Sequence, residues 1–430
     1  MPMTASTDYL DFDTVRRSSL SDHNKKQYFP LKVHRMKISH LFPVLLLALF
    51  SCGKTSNETS VPSDTTPAGE DGSVPALSDY SKSLPLDRIK LPAGFQIDVF
   101  AEVENARSLA ISPAGIIYVG NKDKDKVYAL QDSDGDHKAD KKWVLASGLN
   151  MPNGVAFDDG NLYIAEVSRI TKLANIEQNL SHPPKPEVVN NSYPTETHHG
   201  WKYIAFGPDG KLYVPVGAPC NICESKDPIF ATITRIDKDG SNREIVASGV
   251  RNSVGFTWHP ETKELWFTDN GRDMLGDDIP SCELNVITKP NQHFGYPYCH
   301  EGTIKDPEFG DKRPCSDFTP PEEKLGPHVA PLGLKFYTGT MFPEQYKNQL
   351  FVAKHGSWNR TKKNGYEVTL VKMQGNHAAG HETFASGWLD DASQKVWGRP
   401  VDILLLPDGS MLVSDDQANV IYRIHYKDKQ

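Results

Sequence analysis

A unit made of an apolar strand, a tight turn and a second strand bearing an aromatic residue recurs along this chain, and that recurrence leaves few folds open. Its clearest copy lies in Thr197 to Cys223, THHGWKYIAFGPDGKLYVPVGAPCNIC. There a His pair and a Gly precede an apolar strand (Tyr203 to Phe206), a Pro-Asp-Gly turn and a second strand (Leu212 to Val216). Related units run from Arg107 to Leu130, Asn153 to Leu173, Trp201 to Asp237, Arg251 to Ile287, Gly333 to Met373 and Arg399 to Tyr426. Their marker residues Tyr118, Tyr163, Tyr213, Trp266, Phe351 and Leu412 are spaced by 45, 50, 53, 85 and 61 residues, and all but one interval fit a four-stranded propeller blade. The spacing predicts an all-β, six-bladed β-propeller, because segments with helical period are almost absent.

Between the units, outer strands share a signature: Val144 to Gly148, Ile245 to Gly249 and Thr383 to Gly387. Phe95 to Val103, FQIDVFAEV, stands in the same phase ahead of the first unit. It is expected to complete the last blade beside Val420 to Tyr426 and so close the ring without an exposed edge. The interval of 85 marks an insertion at about 271–331. Long loops on a rigid scaffold are where binding and catalytic residues concentrate.

The propeller is expected over 85–430. Residues 1–35 are polar and aperiodic, and read as a misassigned upstream extension. Residues 36–52, MKISHLFPVLLLALFSC, read as a lipoprotein signal peptide, with a cationic start, an apolar run too short to span a bilayer, and Cys52 in a lipobox-like LFSC. Residues 53–84, rich in Ser, Thr, Pro and acidic residues, read as a flexible linker. The expected address is that of an exported bacterial lipoprotein, membrane-anchored and either periplasmic or cell-surface. Disulfides persist in such a compartment. With Cys52 acylated, Cys220, Cys223, Cys282, Cys299 and Cys315 remain, an odd number that leaves at least one outside an internal pair. Cys299 with Cys315 would brace the insertion, and Cys220 with Cys223 would form a tight loop; Glu224 excludes haem attachment at C-x-x-C.

A formal charge of −8 argues against a nucleic-acid partner, which requires clustered Lys and Arg. The strand starts nevertheless carry Arg107, Asn153, His199, Arg251 with Asn252, and Arg399. Ring closure gathers these groups at one mouth, where several cations repel one another unless an anion joins them. The pattern therefore points to an anionic ligand, or to structural pairing of each Arg with a neighbour such as Asp269, Asp402 or Asp415. Asp132, Asp134, Asp136 and Asp140 resemble a calcium loop but lack the Gly and Glu of an EF-hand, so an acidic hairpin turn is the main reading and a second calcium the alternative.

Thr197 to Gly217, GVRNSVG (249–255), FTDNGRD (267–273) with ELN (283–285), HGSWNR (355–360) and GRPVD (398–402) with SDD (414–416) together resemble the glucose/sorbosone dehydrogenase family, in its sorbosone dehydrogenase-like branch. The resemblance covers about 90–426 and implies a six-bladed propeller that oxidises a sugar with pyrroloquinoline quinone and calcium. It implies that His199 is the general base for the sugar C1 hydroxyl while hydride passes to the quinone. It further implies that Arg251, Asn252 and Arg399 hold the quinone, with Arg107 at the equivalent strand start, and that the carbonyls of Gly271 and Arg272 ligate calcium. This sequence departs from the family at Cys282, where an acidic residue is usual, and lacks the family's cofactor-contacting Lys, for which His355 and Arg360 are the expected substitutes. The electron acceptor would be a separate partner, a cytochrome or a membrane quinone. Competing readings are a binding propeller that has lost the cofactor and a metal-dependent lactonase-like propeller, the latter opposed by the basic strand starts.

Overall fold

Six antiparallel sheets form the ring in the computed structural model, which describes Gly72 and residues 77–427. The expected signal peptide, the upstream extension and most of the expected linker lie outside the described residues. Blade one runs Ala106–Ile111, Ile117–Asn121, Val127–Gln131, Lys141–Ala146, and blade two Gly154–Asp158, Asn161–Ala165, Ile170–Leu173, Glu187–Asn190. Blade three is Ala205–Phe206, Leu212–Val216, Thr232–Ile236, Glu244–Ser248, extended by the parallel strand Gln292–His293. Blade four is Phe256–Trp258, Leu265–Asp269, Ser281–Ile287, Glu323–Pro327, and blade five Pro331–Phe336, Leu350–Lys354, Glu367–Gln374, His377–Ala385. Blade six joins Pro400–Leu405, Met411–Asp415 and Val420–Tyr426 to Phe95–Glu102 from the other end of the chain.

That last pairing is the expected closure. Phe95 lies opposite Tyr426 and Glu102 opposite Val420, with a bulge between Val99 and Ala101. The second strands carry the apolar burial: Leu212–Val216, Leu265–Asp269 and Leu350–Lys354 are buried at every position. A strand packed on both faces needs such a continuous apolar run, and these are the runs that made the repeat visible. Between neighbouring blades the innermost strands approach backbone to backbone. At Gly255 a Cβ would collide with the Leu332 carbonyl, so the blade junction there admits no side chain.

Three local features differ from the sequence reading. The innermost strand of blade three pairs only over Ala205–Phe206, although Tyr203 and Ile204 ahead of it are buried. In the expected insertion, Ser281–Ile287 and Glu323–Pro327 belong to the blade-four sheet, so the excursion proper is 288–322. The end of the stretch read as linker is docked: Leu77 and Leu84 pack on the core of blades five and six, and the Tyr80 hydroxyl donates to the Ala418 carbonyl at 3.0 Å. Disulfides join Cys220 to Cys223 and Cys299 to Cys315, leaving Cys282 free and buried.

Candidate active site

The strand starts converge on one cavity of about 820 Å³ at the ring's mouth, a volume suited to a cofactor together with a small ligand. Arg107, His199, Arg251, Asn252, Gly271, His355 and Arg399 all line it. Val254, Leu332 and the ring of Trp201, which pack with Val401, give it an apolar patch. The cavity wall therefore combines charged and apolar groups.

His199 has φ 53°, in the left-handed region that non-glycine residues rarely occupy. Gly217 faces it, and a Cβ there would strike the His199 Cβ, so the strained backbone depends on that glycine. Its Nδ1 lies 2.9 Å from the Ala218 carbonyl oxygen. A carbonyl can only accept, so Nδ1 carries the hydrogen and Nε2 keeps its lone pair in the neutral ring. Burial, then the charges of Arg251 and His198, hold the imidazole down to about 2. It is an unprotonated base at any ordinary pH.

The three arginines differ in what they have left to offer. Arg107 donates from Nε to Asn153 Oδ1 at 2.7 Å and from Nη1 to Asp416 Oδ2 at 2.9 Å. Asp416 also accepts from His355 Nε2 at 2.8 Å and lies 3.6 Å from Lys122. Burial holds the His355 imidazole down to about 4 despite that carboxylate. Arg251 is held by the Asn221 carbonyl (2.9 Å), Asn221 Oδ1 (2.8 Å), the Asn270 carbonyl (3.1 Å) and Asp273 Oδ2 (3.1 Å). Arg399 donates, among the described residues, only to the carbonyls of His355 (2.9 Å) and Gly356 (2.8 Å), beside the Tyr366 ring. Among the described residues it has no carboxylate within ion-pair distance.

The expected repulsion at the mouth is thus relieved in part by the protein itself, through Asp416 and Asp273. The carboxylates named as partners from sequence serve the backbone instead. Asp269 accepts from the amides of Arg251 (2.8 Å) and Asn252 (2.6 Å), Asp402 from those of Leu109 and Ile403 (both 2.8 Å), and Asp415 from those of Gln417 (3.0 Å) and Ala418 (2.7 Å). Burial raises all three to about 6.

Arg360 does not reach the site, contrary to expectation. The Asp277 carbonyl and the Asp278 carboxylate, each at 3.1 Å, draw it toward the start of the insertion, where it lines a separate surface pocket. The side chain of Arg272 also leaves the cavity, pairing with Asp306, and with Glu308 at 2.7 Å. The carbonyls of Gly271 and Arg272, the atoms named as calcium ligands, accept no hydrogen bond among the described residues. Asn252 Oδ1 and Trp201 Nε1 are buried without a partner, polar atoms poised for a ligand in the same cavity. Sequence reasoning missed Lys122, Asn221, Asp273 and Asp416, which ring closure and the resting places of loops bring together around the arginines. It also passed over Trp201 and Trp358, although both stand inside the quoted motifs.

The acid response of the two imidazoles is testable. Both have folded values below the 6.5 of an ordinary imidazole. As pH falls through that value the unfolded chain takes up protons that the folded chain refuses, so these groups lower stability toward acid. The raised values of Asp269, Asp402 and Asp415 act with the opposite sign below about 6. In an NMR titration from about pH 8 to about pH 5, the His199 and His355 ring signals are expected to stay in the neutral position. A midpoint near the ordinary imidazole value for His199 would contradict its burial.

The family model described as Domain of unknown function (DUF7133) matches residues 81–427. An uncharacterized protein of Borreliella burgdorferi is 35% identical over 357 residues, covering 79% of this chain and 91% of that protein. A pyrroloquinoline quinone-dependent pyranose dehydrogenase of Coprinopsis cinerea is 36% identical over 100 residues, 19% of this chain and 13% of that protein. The holo form of the quinone domain of the Coprinopsis cinerea pyranose dehydrogenase superposes with TM-score 0.68 at 17% identity, covering 78% of this chain and 97% of that domain. At that identity the likeness shows the fold.

Proposed function

The chain belongs to the family of the domain of unknown function DUF7133, and on that footing we propose that it is a sugar dehydrogenase of the glucose/sorbosone dehydrogenase type, dependent on pyrroloquinoline quinone. The substrate in this reading is the C1 hydroxyl or aldehyde of a sugar, and a separate cytochrome or membrane quinone takes the electrons onward. The observation that carries it is a neutral imidazole with its lone pair free, set in the same cavity as three guanidinium groups and two unpartnered buried polar atoms. A tricarboxylated aromatic cofactor would find cations, apolar surface and orphaned polar atoms together, so the residues present fit it.

When bound, the quinone supplies the two-electron acceptor that amino-acid side chains lack, and calcium would add a Lewis acid beside it. Arg399 is the main anchor for a carboxylate, because three of its five N–H groups are uncommitted and its planar fork matches a carboxylate. Arg251 adds charge and a single uncommitted N–H on Nη1. Asn252 and Trp201 would supply directional contacts, and the carbonyls of Gly271 and Arg272 would hold the metal ion. His355, its Nε2 hydrogen committed to Asp416, would offer Nδ1 as an acceptor. His199 Nε2 takes the proton of the sugar hydroxyl, and its Nδ1 bond to Ala218 keeps the ring from turning.

Titration of the protein with pyrroloquinoline quinone and Ca²⁺, followed by a dye-linked assay over a panel of sugars and aldehydes, tests the reading. Arg399→Gln is expected to weaken quinone binding by about ten- to a hundredfold, the value of one or two charge-assisted hydrogen bonds. Failure of the wild-type chain to bind the quinone would favour a binding propeller without the cofactor. Binding without turnover on any member of the panel would overturn the assigned reaction.

A further inference from the structure

The short disulfide loop beside the cavity holds more of the site than its size suggests. Residues 218–223 touch three groups of the cavity. The Ala218 carbonyl accepts from His199 Nδ1 at 2.9 Å, and the Ala218 amide donates to the Arg251 carbonyl at 2.8 Å. Asn221, between the two cysteines, takes Arg251 Nε on its carbonyl and Arg251 Nη2 on Oδ1. The same Oδ1 accepts from the Asp273 amide at 2.9 Å, while Nδ2 donates to the Asp273 carbonyl at 3.1 Å. The loop is pinned from behind by Tyr296, whose hydroxyl accepts from the Cys223 amide at 3.0 Å and lies 3.3 Å from Cys220 Sγ.

Asn221 thus acts on the mouth through Arg251 and Asp273, and its own placement is set by the Cys220–Cys223 bond. Cys220 and Cys223 are both partly exposed, whereas the second disulfide has Cys299 buried. A four-residue loop without its cross-link has no secondary structure to keep Asn221 in place.

We infer that the Cys220–Cys223 loop is a redox-sensitive latch, with Asn221 as the positioning residue that aims Arg251 and Asp273 into the cavity. The consequence for quinone affinity rests on the function proposed above; the effect on Asp273 does not. In the opening step a dithiol transfers two electrons and two protons to the disulfide. The S–S bond breaks, Cys220 and Cys223 become thiols, and the dithiol becomes a cyclic disulfide.

The test uses the full chain, with dithiothreitol as the dithiol, removed by gel filtration before pyrroloquinoline quinone and Ca²⁺ are added as the ligand, because the quinone would itself oxidise the dithiol. Hydrogen exchange at the Asp273 amide reads the latch directly, and a quinone titration reads its consequence. Reduction of the wild type, the Cys220→Ser/Cys223→Ser double variant and Asn221→Ala should each speed Asp273 exchange and weaken quinone binding by about tenfold, the worth of one hydrogen bond to a charged group. Asn221→Asp, which keeps the Oδ1 acceptor, should hold Asp273 exchange near the wild-type rate, a rescue that mere loop damage would not give. Dithiothreitol should have no further effect on the double variant; an equal effect there would assign the response to Cys299–Cys315 and overturn the latch. Unchanged Asp273 exchange in Asn221→Ala or on reduction overturns it as well. If the wild type binds no quinone while Asp273 exchange responds as described, the latch stands and the proposed function falls.

Discussion

His199→Ala is expected to abolish measurable sugar oxidation, a loss of about 10²–10⁴-fold in turnover, the range for removing a positioned general base. Quinone binding should change little, because His199 offers a lone pair to the substrate hydroxyl rather than a charge to the cofactor. The split between turnover and affinity is the diagnostic readout. The Ala218 carbonyl loses its side-chain donor in the variant. His199→Asn, whose amide nitrogen occupies the Nδ1 position and can still donate there, separates local repacking from loss of the base. If quinone-loaded His199→Ala oxidises sugars at the wild-type rate, the base lies elsewhere, and His198, whose ring lies 4.1 Å from that of His199 in the same cavity, is the nearest alternative.

Phe95→Ala is expected to be the most damaging single substitution outside the site, costing about 3–5 kcal/mol in a urea or thermal unfolding experiment. Phe95 opens the closing strand, and its ring lies 4.7 Å from Phe342, 5.2 Å from Tyr346, 5.0 Å from Phe384 and 5.0 Å from Tyr426, centroid to centroid. Those partners come from blades five and six, so one side chain ties the start of the ring to its end. Truncation leaves a cavity in an aromatic cluster and loosens the strand that protects the blade-six edge. A loss below about 1 kcal/mol would mean that strand pairing alone, without the aromatic anchor, closes the ring.

The architecture was legible because its determinants are local. Tyr118, Tyr163 and Tyr213 stand in similar runs between turns, and FQIDVFAEV alternates well enough to reveal a strand that needs a partner. The site was legible wherever a residue sits at a strand start, since closure must bring His199, Arg251 and Arg399 together. Its electrostatics were not. Arg107 meets Asp416 across a separation of 309 residues, and Arg251 meets Asp273 only because the turn after Leu265–Asp269 folds back over the mouth. Arg360 lies in the same HGSWNR motif as His355, yet the carbonyl of Asp277 and the carboxylate of Asp278 draw it outward. Hydrogen-bond partners of this kind depend on where loops come to rest, which periodicity does not encode.

The way the ring is fastened sets how it yields under force. Phe95, at the leading end of its strand, pairs with Tyr426, at the trailing end of its own, so both ends emerge on the same side of one sheet. Tension between the two ends would load that ladder one residue pair at a time, as in opening a zipper, rather than shearing all its hydrogen bonds together. Once the docked segment ahead of Phe95 has come away, the fastening would peel from Phe95 toward Glu102, making this the first strand ladder to give way.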